Sequence, residues 1–341
     1  MTSPRNSGLT PWWASSWSST RTKKYVIYLT CAAIIAGAAV AILARSQAKP
    51  AHPIRPTPVI RYLGLHEPDA PGSYADVDQF AQAIGRQPNL VSYYSPWGES
   101  FKAGFATWAA QHGAMTLVQM DPVNVPLASI ASGRWDSYLS AYAAAVSAFR
   151  AQVILSFGHE MNGNWYSWGY QHTPAKVFVD AWRHIVNIFR AAGARNATWL
   201  WTVNIINAQP PIPSPAPWWP GSSYVNWVGI DGYYYQSSSS FAQIFGPTIV
   251  AVRGLTGDPI LIAETGVEVS AGQAEKINDL FDGTLTYGLI GFIWFDENVE
   301  GRTWRISSPQ AFAVFGRDAG AFVRPSVTSP SGRQPHSSGG L

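Results

Sequence analysis

From residue 60 onward the chain alternates between two patterns. Short apolar runs rich in β-branched and aromatic residues are followed by loops, and then by longer stretches with helical periodicity. The apolar runs cover residues 60–66, 90–94, 115–121, 153–160, 198–204, 227–233, 260–264 and 290–295, which gives eight expected strands. The helical stretches between them include 74–85, 101–112, 135–150, 174–192, 241–254 and 273–287. In 135–150, Tyr138, Tyr142, Val146 and Phe149 recur at helical spacing and form one apolar stripe. The stretch 174–192 carries Thr173 as a cap, Pro174 at the first helical position and Gly193 at its end. Residues 205–226 carry no helical pattern. The Pro/Trp-rich part from Asn207 to Pro220 reads as a long loop over the mouth of the fold. Eight β/α units predict an α/β protein with a single (β/α)8 TIM barrel over residues 60–322. A glycine-rich GxGxxG turn does not follow the first run, so a doubly wound sheet fits less well.

The N-terminal part follows other rules. Residues 1–24 are polar and close on Arg21, Lys23 and Lys24. Residues 25–44 carry no charge, and at about 1.5 Å per residue they would span about 30 Å, the hydrocarbon thickness of a bilayer. The expectation is a transmembrane signal anchor with a cytoplasmic N-terminus and an extracytoplasmic barrel. The rival is a cleaved signal peptide, with Ser46-Gln47-Ala48 as its small-x-small site and a secreted product. Residues 45–59 form a stiff linker containing Pro50, Pro53, Pro56 and Pro58. Residues 323–341 are Pro/Ser/Gly-rich and are expected to be a disordered tail.

Charge sharpens this division. Residues 1–60 hold seven Lys/Arg and no Asp/Glu, whereas residues 61–341 hold 16 Lys/Arg against 20 Asp/Glu. The folded part is mildly acidic, which excludes a nucleic-acid reading. The basic excess belongs beside the membrane. Cys31 is the chain's single cysteine, so neither an intrachain disulfide nor a cysteine zinc site is possible.

The candidate chemistry sits where the expected strands end, because a barrel of this kind builds its site at the C-terminal ends of its strands. The fourth run delivers Gly158-His159-Glu160-Met161-Asn162-Gly163-Asn164-Trp165, with Trp168-Gly169 beyond. A carboxylate at a strand end beneath indole rings suits glycoside chemistry, since the acid can protonate a glycosidic oxygen. The partner carboxylate is Glu264, which closes the apolar run from Pro259 to Ala263. A lone carboxylate in such a place has to face a cleft or a partner. Strands four and seven lie across the mouth from one another. Two inward glutamates there approach to about 5–5.5 Å, the separation of a retaining glycosidase. His66, Asn204, Asp231 and Tyr233 also fall at strand ends. His66 reads equally as a sugar ligand or as a structural residue, whereas His112 and His184 read as surface or packing residues. His159 and Glu160 are adjacent rather than at metal-ligand spacing, and no cofactor is expected.

These motifs resemble glycoside hydrolase family 26, known best for endo-β-1,4-mannanases. Gly158 to Trp165 with Trp168-Gly169 is similar to its acid/base motif, Trp199 to Asn204 to its strand five, Trp227 to Tyr233 to its strand six, and Ile262-Ala263-Glu264-Thr265-Gly266 to its nucleophile strand. The resemblance covers residues 60–320. It implies Glu160 as general acid/base, Glu264 as nucleophile, and His159 as a positioning group near the reacting sugar. It further implies that Asp231 and Tyr233 support the site, with Tyr233 hydrogen-bonded to the nucleophile. Trp294 would form the floor beneath the sugar, Trp165 would line the cleft, and Asn204 would join the substrate-binding set. The resemblance implies a β-mannan-like substrate. Phe295, where mannanases of the family often carry polar subsite residues, and the Pro/Trp-rich loop from Asn207 to Pro220 depart from that pattern, so another β-glycan or an exopolysaccharide, cleaved or transglycosylated, stands as the alternative. A barrel that only binds polysaccharide is the reading from another class.

Overall fold

The computed structural model of the protein describes residues 61–208, 211–269, 272–299 and 301–323. The expected membrane anchor, the linker and most of the tail lie outside the described residues. Among the described residues, no helix is long and apolar enough to cross a membrane.

The elements follow in chain order: β1 (Tyr62–His66), α1 (Ala75–Ile84), β2 (Leu90–Pro96), α2 (Ala103–Gln111), β3 (Met115–Asp121), α3 (Leu127–Ala131), α4 (Asp136–Phe149), β4 (Val153–Phe157), α5 (Ala175–Ala191), β5 (Ala197–Asn204), β6 (Trp227–Asp231), α6 (Phe241–Arg253), β7 (Ile260–Thr265), α7 (Gln273–Thr286), β8 (Gly291–Phe295), the two-residue strands β9 (Asn298–Val299) and β10 (Arg302–Thr303), and α8 (Pro309–Phe322). Strands β1 to β8 are parallel neighbours in sequence order and close into a barrel, with β8 pairing back to β1. The expected eight-stranded α/β barrel is the observed fold.

Alternation along the strands builds two cores. Leu90, Leu117, Ile154, Leu200, Leu261, Ala263, Ile290 and Ile293 fill the barrel interior. The intervening residues, such as Val91, Val118, Leu155 and Trp201, join the larger core between barrel and helices. Two residues further along β2 to β5 the interior turns polar with Ser92, Gln119, Ser156 and Thr202, the last two hydroxyls lying 3.0 Å apart. One step beyond lies the mouth.

Several boundaries differ from expectation for identifiable reasons. β4 stops at Phe157 because Gly158 and Glu160 both take positive φ, which ends the pleat. In α4 the buried stripe is Leu139, Tyr142, Ala143 and Val146, while Tyr138 and Phe149 lie half-buried at its edges. Thr173 does not cap α5: its hydroxyl donates to the Ser167 carbonyl at 2.9 Å, and Pro174 takes the cap position without a side-chain bond. The described end of the Pro/Trp-rich loop packs on the barrel's flank, where Trp218 also meets Tyr170 of the loop after β4 at 6.1 Å. Trp219 packs on the outward-facing Trp201 at 5.0 Å, and Arg183 of α5 donates to the Pro220 carbonyl at 2.8 Å. The helix α8 was not expected. Its Ser308 accepts from the Ala311 amide at 3.1 Å, and Phe315 packs edge-on against Phe281, Phe292 and Trp294.

Candidate active site

The strand ends place seven of the nine expected site residues together. Glu160 is aimed by an unusual piece of backbone. Gly158 sits at φ 54° and an added Cβ would meet Phe178 and Trp168 at 3.2 Å, so any other residue there would be both strained and crowded. Glu160 itself holds φ 54°, a left-handed conformation that costs a non-glycine residue on the order of 1 kcal/mol or more. Its amide donates to the Thr202 carbonyl at 3.0 Å, which fixes it against β5.

The Glu160 carboxylate accepts two hydrogen bonds. Trp165 Nε1 donates to Oε2 at 2.7 Å, and Asn204 Nδ2 donates to Oε1. Asn204 is held in turn by Asn162, whose side chain makes a two-point bond, 2.9 Å each way, with the Asn204 backbone. Burial and the neighbouring Glu264 push the Glu160 pKa up to about 7, while His159, Asn204 and Trp165 oppose that rise. A carboxyl poised there can both give and take a proton near neutrality.

Glu264 reaches the mouth through a bulge. Ile230 of β6 pairs with Ile262 but Asp231 pairs with Glu264, and the register against β8 also shifts by one residue between Ile262 and Thr265. Strict alternation would turn Glu264 outward, because Ala263 already faces the interior. The extra residue on β7 re-aims it inward. Tyr233 donates to Oε2 at 3.0 Å, and Tyr94 donates to Oε1. Burial first, then the adjacent Glu264, raises both phenols well above their ordinary pKa, so both remain neutral donors.

Asp231 lies between the glutamates. One oxygen each of Glu160, Asp231 and Glu264 lies within 4.8 Å of the others. Among the described residues, no side chain hydrogen-bonds the Asp231 carboxyl, and the Glu264 backbone is the polar neighbour that favours its charged form. Burial, then Glu264, Glu160 and Asp121, raises its pKa well above its ordinary value, which favours the protonated form. Three carboxyls at this spacing could in principle hold a cation. Here both oxygens of each glutamate already accept N–H or O–H donors, which suits proton transfer rather than ligation.

His159 is buried, 3% exposed. Its Nδ1 lies 2.9 Å from Asp121 Oδ1, and its Nε2 lies 3.2 Å from the Tyr166 hydroxyl. Tyr166 stacks on Trp168 at 4.4 Å, and the Trp168 indole donates to the His159 carbonyl at 2.9 Å. Trp165 is 46% exposed and forms the open wall of the cleft beside Glu160.

Two expected residues stand elsewhere. Trp294 is fully buried, packs edge-on against Phe315 of α8 and donates through Nε1 to Asp296 at 3.1 Å. Its place on β8 points to the helix layer, so it is not the floor of the site. Phe295 takes the mouth position instead, 5.9 Å from Tyr233 and stacked on His66 at 4.8 Å. His66 has both ring nitrogens engaged by protein, with the Ser92 carbonyl and Glu297 each at 3.2 Å. It borders the site through Phe295 and Tyr94.

Sequence reasoning missed Tyr94, Tyr166, Phe295 and Trp304 as members of the site, and placed Asp121 at the end of the third strand without giving it a role. Tyr94 and Asp121 carried a signal, since each shares strand parity with an interior leucine, Leu90 and Leu117. Trp304 carried none: it follows the short β9–β10 hairpin and reaches Tyr233 at 4.6 Å only through the tertiary fold.

A closed parallel barrel with opposed, differently hydrogen-bonded glutamates at the ends of its fourth and seventh strands is the architecture of a glycoside hydrolase. The sequence profile of glycosyl hydrolase family 26 matches residues 104–277, and the chain belongs to that family. Endoglucanase H of Acetivibrio thermocellus is 30% identical over 266 residues, which is 73% of this chain but 29% of that protein, so the chain spans under a third of this relative's length. Among solved structures, a β-mannanase from Bacteroides ovatus superposes with a TM-score of 0.58 at 16% identity, covering 78% of this chain and 88% of the other. A Bacillus subtilis mannanase gives 0.55 at 18% identity, covering 75% and 86%. At these identities the two structures speak for the fold alone.

Proposed function

We propose that this chain is a retaining, endo-acting hydrolase of a β-linked polysaccharide, with β-mannan as its first substrate class. The observation that carries the reading is the pair Glu160 and Glu264, whose closest oxygens lie within 4.8 Å and whose surroundings differ. That approach fits the carboxyl separation of about 5–5.5 Å in retaining enzymes better than the 6.5–9.5 Å of inverting ones.

In the first step protonated Glu160 gives its proton to the glycosidic oxygen as the bond to the anomeric carbon breaks. Glu264 attacks that carbon from the opposite face and forms a glycosyl ester. Glu160, now ionised, takes a proton from water in the second step. The water oxygen bonds to the anomeric carbon and Glu264 leaves as a carboxylate. Tyr94 and Tyr233 hold the Glu264 oxygens in line before attack and receive the negative charge when it returns. Trp165 offers its exposed indole face to a neighbouring sugar ring, and Asn204 keeps Glu160 directed at the leaving oxygen. Asp231, in its protonated form, has a proton to offer either glutamate.

A second reading, a β-glucan substrate, is favoured by one observation. The relative named Endoglucanase H is 30% identical, well above the mannanase structures at 16% and 18%. We also propose that residues 25–44 anchor the barrel to the outer side of a membrane through the Pro-rich linker, on the strength of their uncharged composition. Carbonate extraction of membranes from cells expressing the full chain tests this: the protein remains with the lipid if it is anchored and appears in the medium if it is cleaved.

The substrate is tested by incubating the protein with β-mannan, glucomannan, mixed-linkage glucan and xylan and measuring new reducing ends, alongside Glu160→Ala and Glu264→Ala. Turnover of mannan that both variants lose supports the first reading. Turnover of glucan with mannan untouched supports the second. Binding without turnover on all four would contradict the hydrolase reading for these glycans.

A further inference from the structure

His159 contributes no reacting atom to the two steps above, yet both of its ring nitrogens are pinned. Nδ1 faces Asp121 Oδ1 at 2.9 Å, and a nitrogen facing a carboxylate has to carry hydrogen. Nε2 faces the Tyr166 hydroxyl at 3.2 Å and Glu264 Oε1 at 4.0 Å, so it too points at oxygen, one of them anionic. We propose that Asp121 is a positioning residue whose carboxylate holds His159 as a permanent imidazolium, a fixed cation lodged beside both glutamates. The proposal rests on the reading of Glu160 and Glu264 as the reacting pair.

The groups facing the ring support this from every side. Asp121 comes from β3, Glu264 from β7 and Glu160 from the adjoining residue. Tyr94 of β2 lies 5.6 Å away by ring centres, and Tyr166 and Trp168 of the loop after β4 lie at 4.9 and 6.1 Å. Burial on its own pulls the imidazole pKa down, but Asp121, by charge and by hydrogen bond, and then Glu264 and Glu160 carry it up to about 10. The largest opposing influence is thus Asp121, the residue that takes no part in the bond changes.

A fixed cation has a use in a two-glutamate cycle. Before the first step Glu264 carries the negative charge and Glu160 the proton. After it, Glu264 is esterified and Glu160 carries the charge. The glutamate pair carries one negative charge at each stage, beside the constant one on Asp121, and the pair's charge changes owner. An imidazolium whose charge also lowers the Glu160 pKa, and whose Nε2 lies 4.0 Å from Glu264, balances that charge whichever glutamate holds it. An imidazole that titrated near pH 6.5 would lose the balance in the working range.

The test uses the full chain with 15N-labelled histidine, with His159→Gln serving only to assign the resonances. In the parent protein we expect both His159 ring nitrogens to stay protonated from about pH 5 to about pH 9. An ordinary titration near 6.5 would overturn the proposal without need of any further variant. In Asp121→Asn the midpoint should fall into that window. Turnover of the glycan that the parent cleaves should then split by pH. Near pH 5.5, where the ring is charged in both proteins, the variant should stay within about threefold of the parent, and near pH 8 it should fall by about tenfold or more. A deficit of equal size at both pH values, with the His159 titration unmoved, would overturn the proposal by making Asp121 merely structural. If Glu264→Ala kept its turnover, the assignment of the reacting pair would fall, and the proposal with it.

Discussion

Trp165→Phe tests the wiring of the acid/base residue. The indole Nε1 donates to Glu160 Oε2 at 2.7 Å, and phenylalanine keeps an aromatic face while removing that donor. The bond stabilises the ionised carboxyl, so its loss raises the Glu160 pKa. A hydrogen bond to a charged group is worth about 1.5–3 kcal/mol. Because Trp165 is 46% exposed, solvent screening places the value at the lower end, which corresponds to about one pK unit. Glu160 starts at about 7. The alkaline limb of the kcat/KM profile, which follows protonation of the general acid in the free enzyme, should therefore move up by about one pH unit. The assay is release of reducing ends across a pH series on whichever glycan the parent cleaves. Gly163→Ala gives an independent route to the same end, since a Cβ at residue 163 would run into the Trp165 ring and push it off Glu160. A limb that stays in place, or moves to lower pH, in both variants would refute the reasoning.

Three further outcomes follow from the same geometry. Tyr233→Phe leaves Glu264 with Tyr94 as its remaining phenol donor and should lower kcat by about tenfold or more at unchanged fold, measured by steady-state kinetics. Trp294→Phe should cost about 1–2 kcal/mol in denaturant unfolding while KM stays within about twofold, whereas Phe295→Ala should raise KM, because the first side chain packs on Phe315 and the second faces the mouth. Thermal melts should give a higher Tm near pH 5 than near pH 8.5. Glu67, raised to about 9 by burial and then Asp296, and Glu160, raised to about 7, each contribute stability that is full below the ordinary carboxyl pKa of 4.5 and lost as pH rises through the folded value. His159 adds stability present below 6.5 and lost as pH rises toward about 10, so all three slopes share one sign. Glu67→Gln should flatten the slope.

The barrel was legible because its strands are short apolar runs separated by helical periods, and that pattern survives small errors in each boundary. The carboxyl pair was legible because each glutamate ends such a run. What stayed hidden depended on side-chain direction. Trp294 and Phe295 are neighbours, and strand parity decides which of them faces the mouth. The bulge in β7 breaks parity at Glu264, so a strict count would have turned that residue away from the site. The helix α8 did announce itself, with Ser308-Pro309 as cap and first turn and Ala311, Phe315, Ala319 and Phe322 as its buried face, in a stretch that the strand-and-helix alternation had passed over. Tyr94 and Trp304 show two degrees of concealment. Strand parity places the first, and only the closed fold brings the second to Tyr233.

The central claim is that Glu264 bonds to the sugar while Glu160 moves the proton. The most direct measurement is covalent trapping. The protein is incubated with an activated 2-deoxy-2-fluoro β-mannoside or β-glucoside and analysed by mass spectrometry, both intact and as peptides, with Glu264→Ala in parallel. The account predicts a stable adduct of one glycosyl unit on the peptide containing Glu264, absent from the variant, and products that keep the β configuration when followed by proton NMR. An adduct on another residue, or products of inverted configuration, would contradict it.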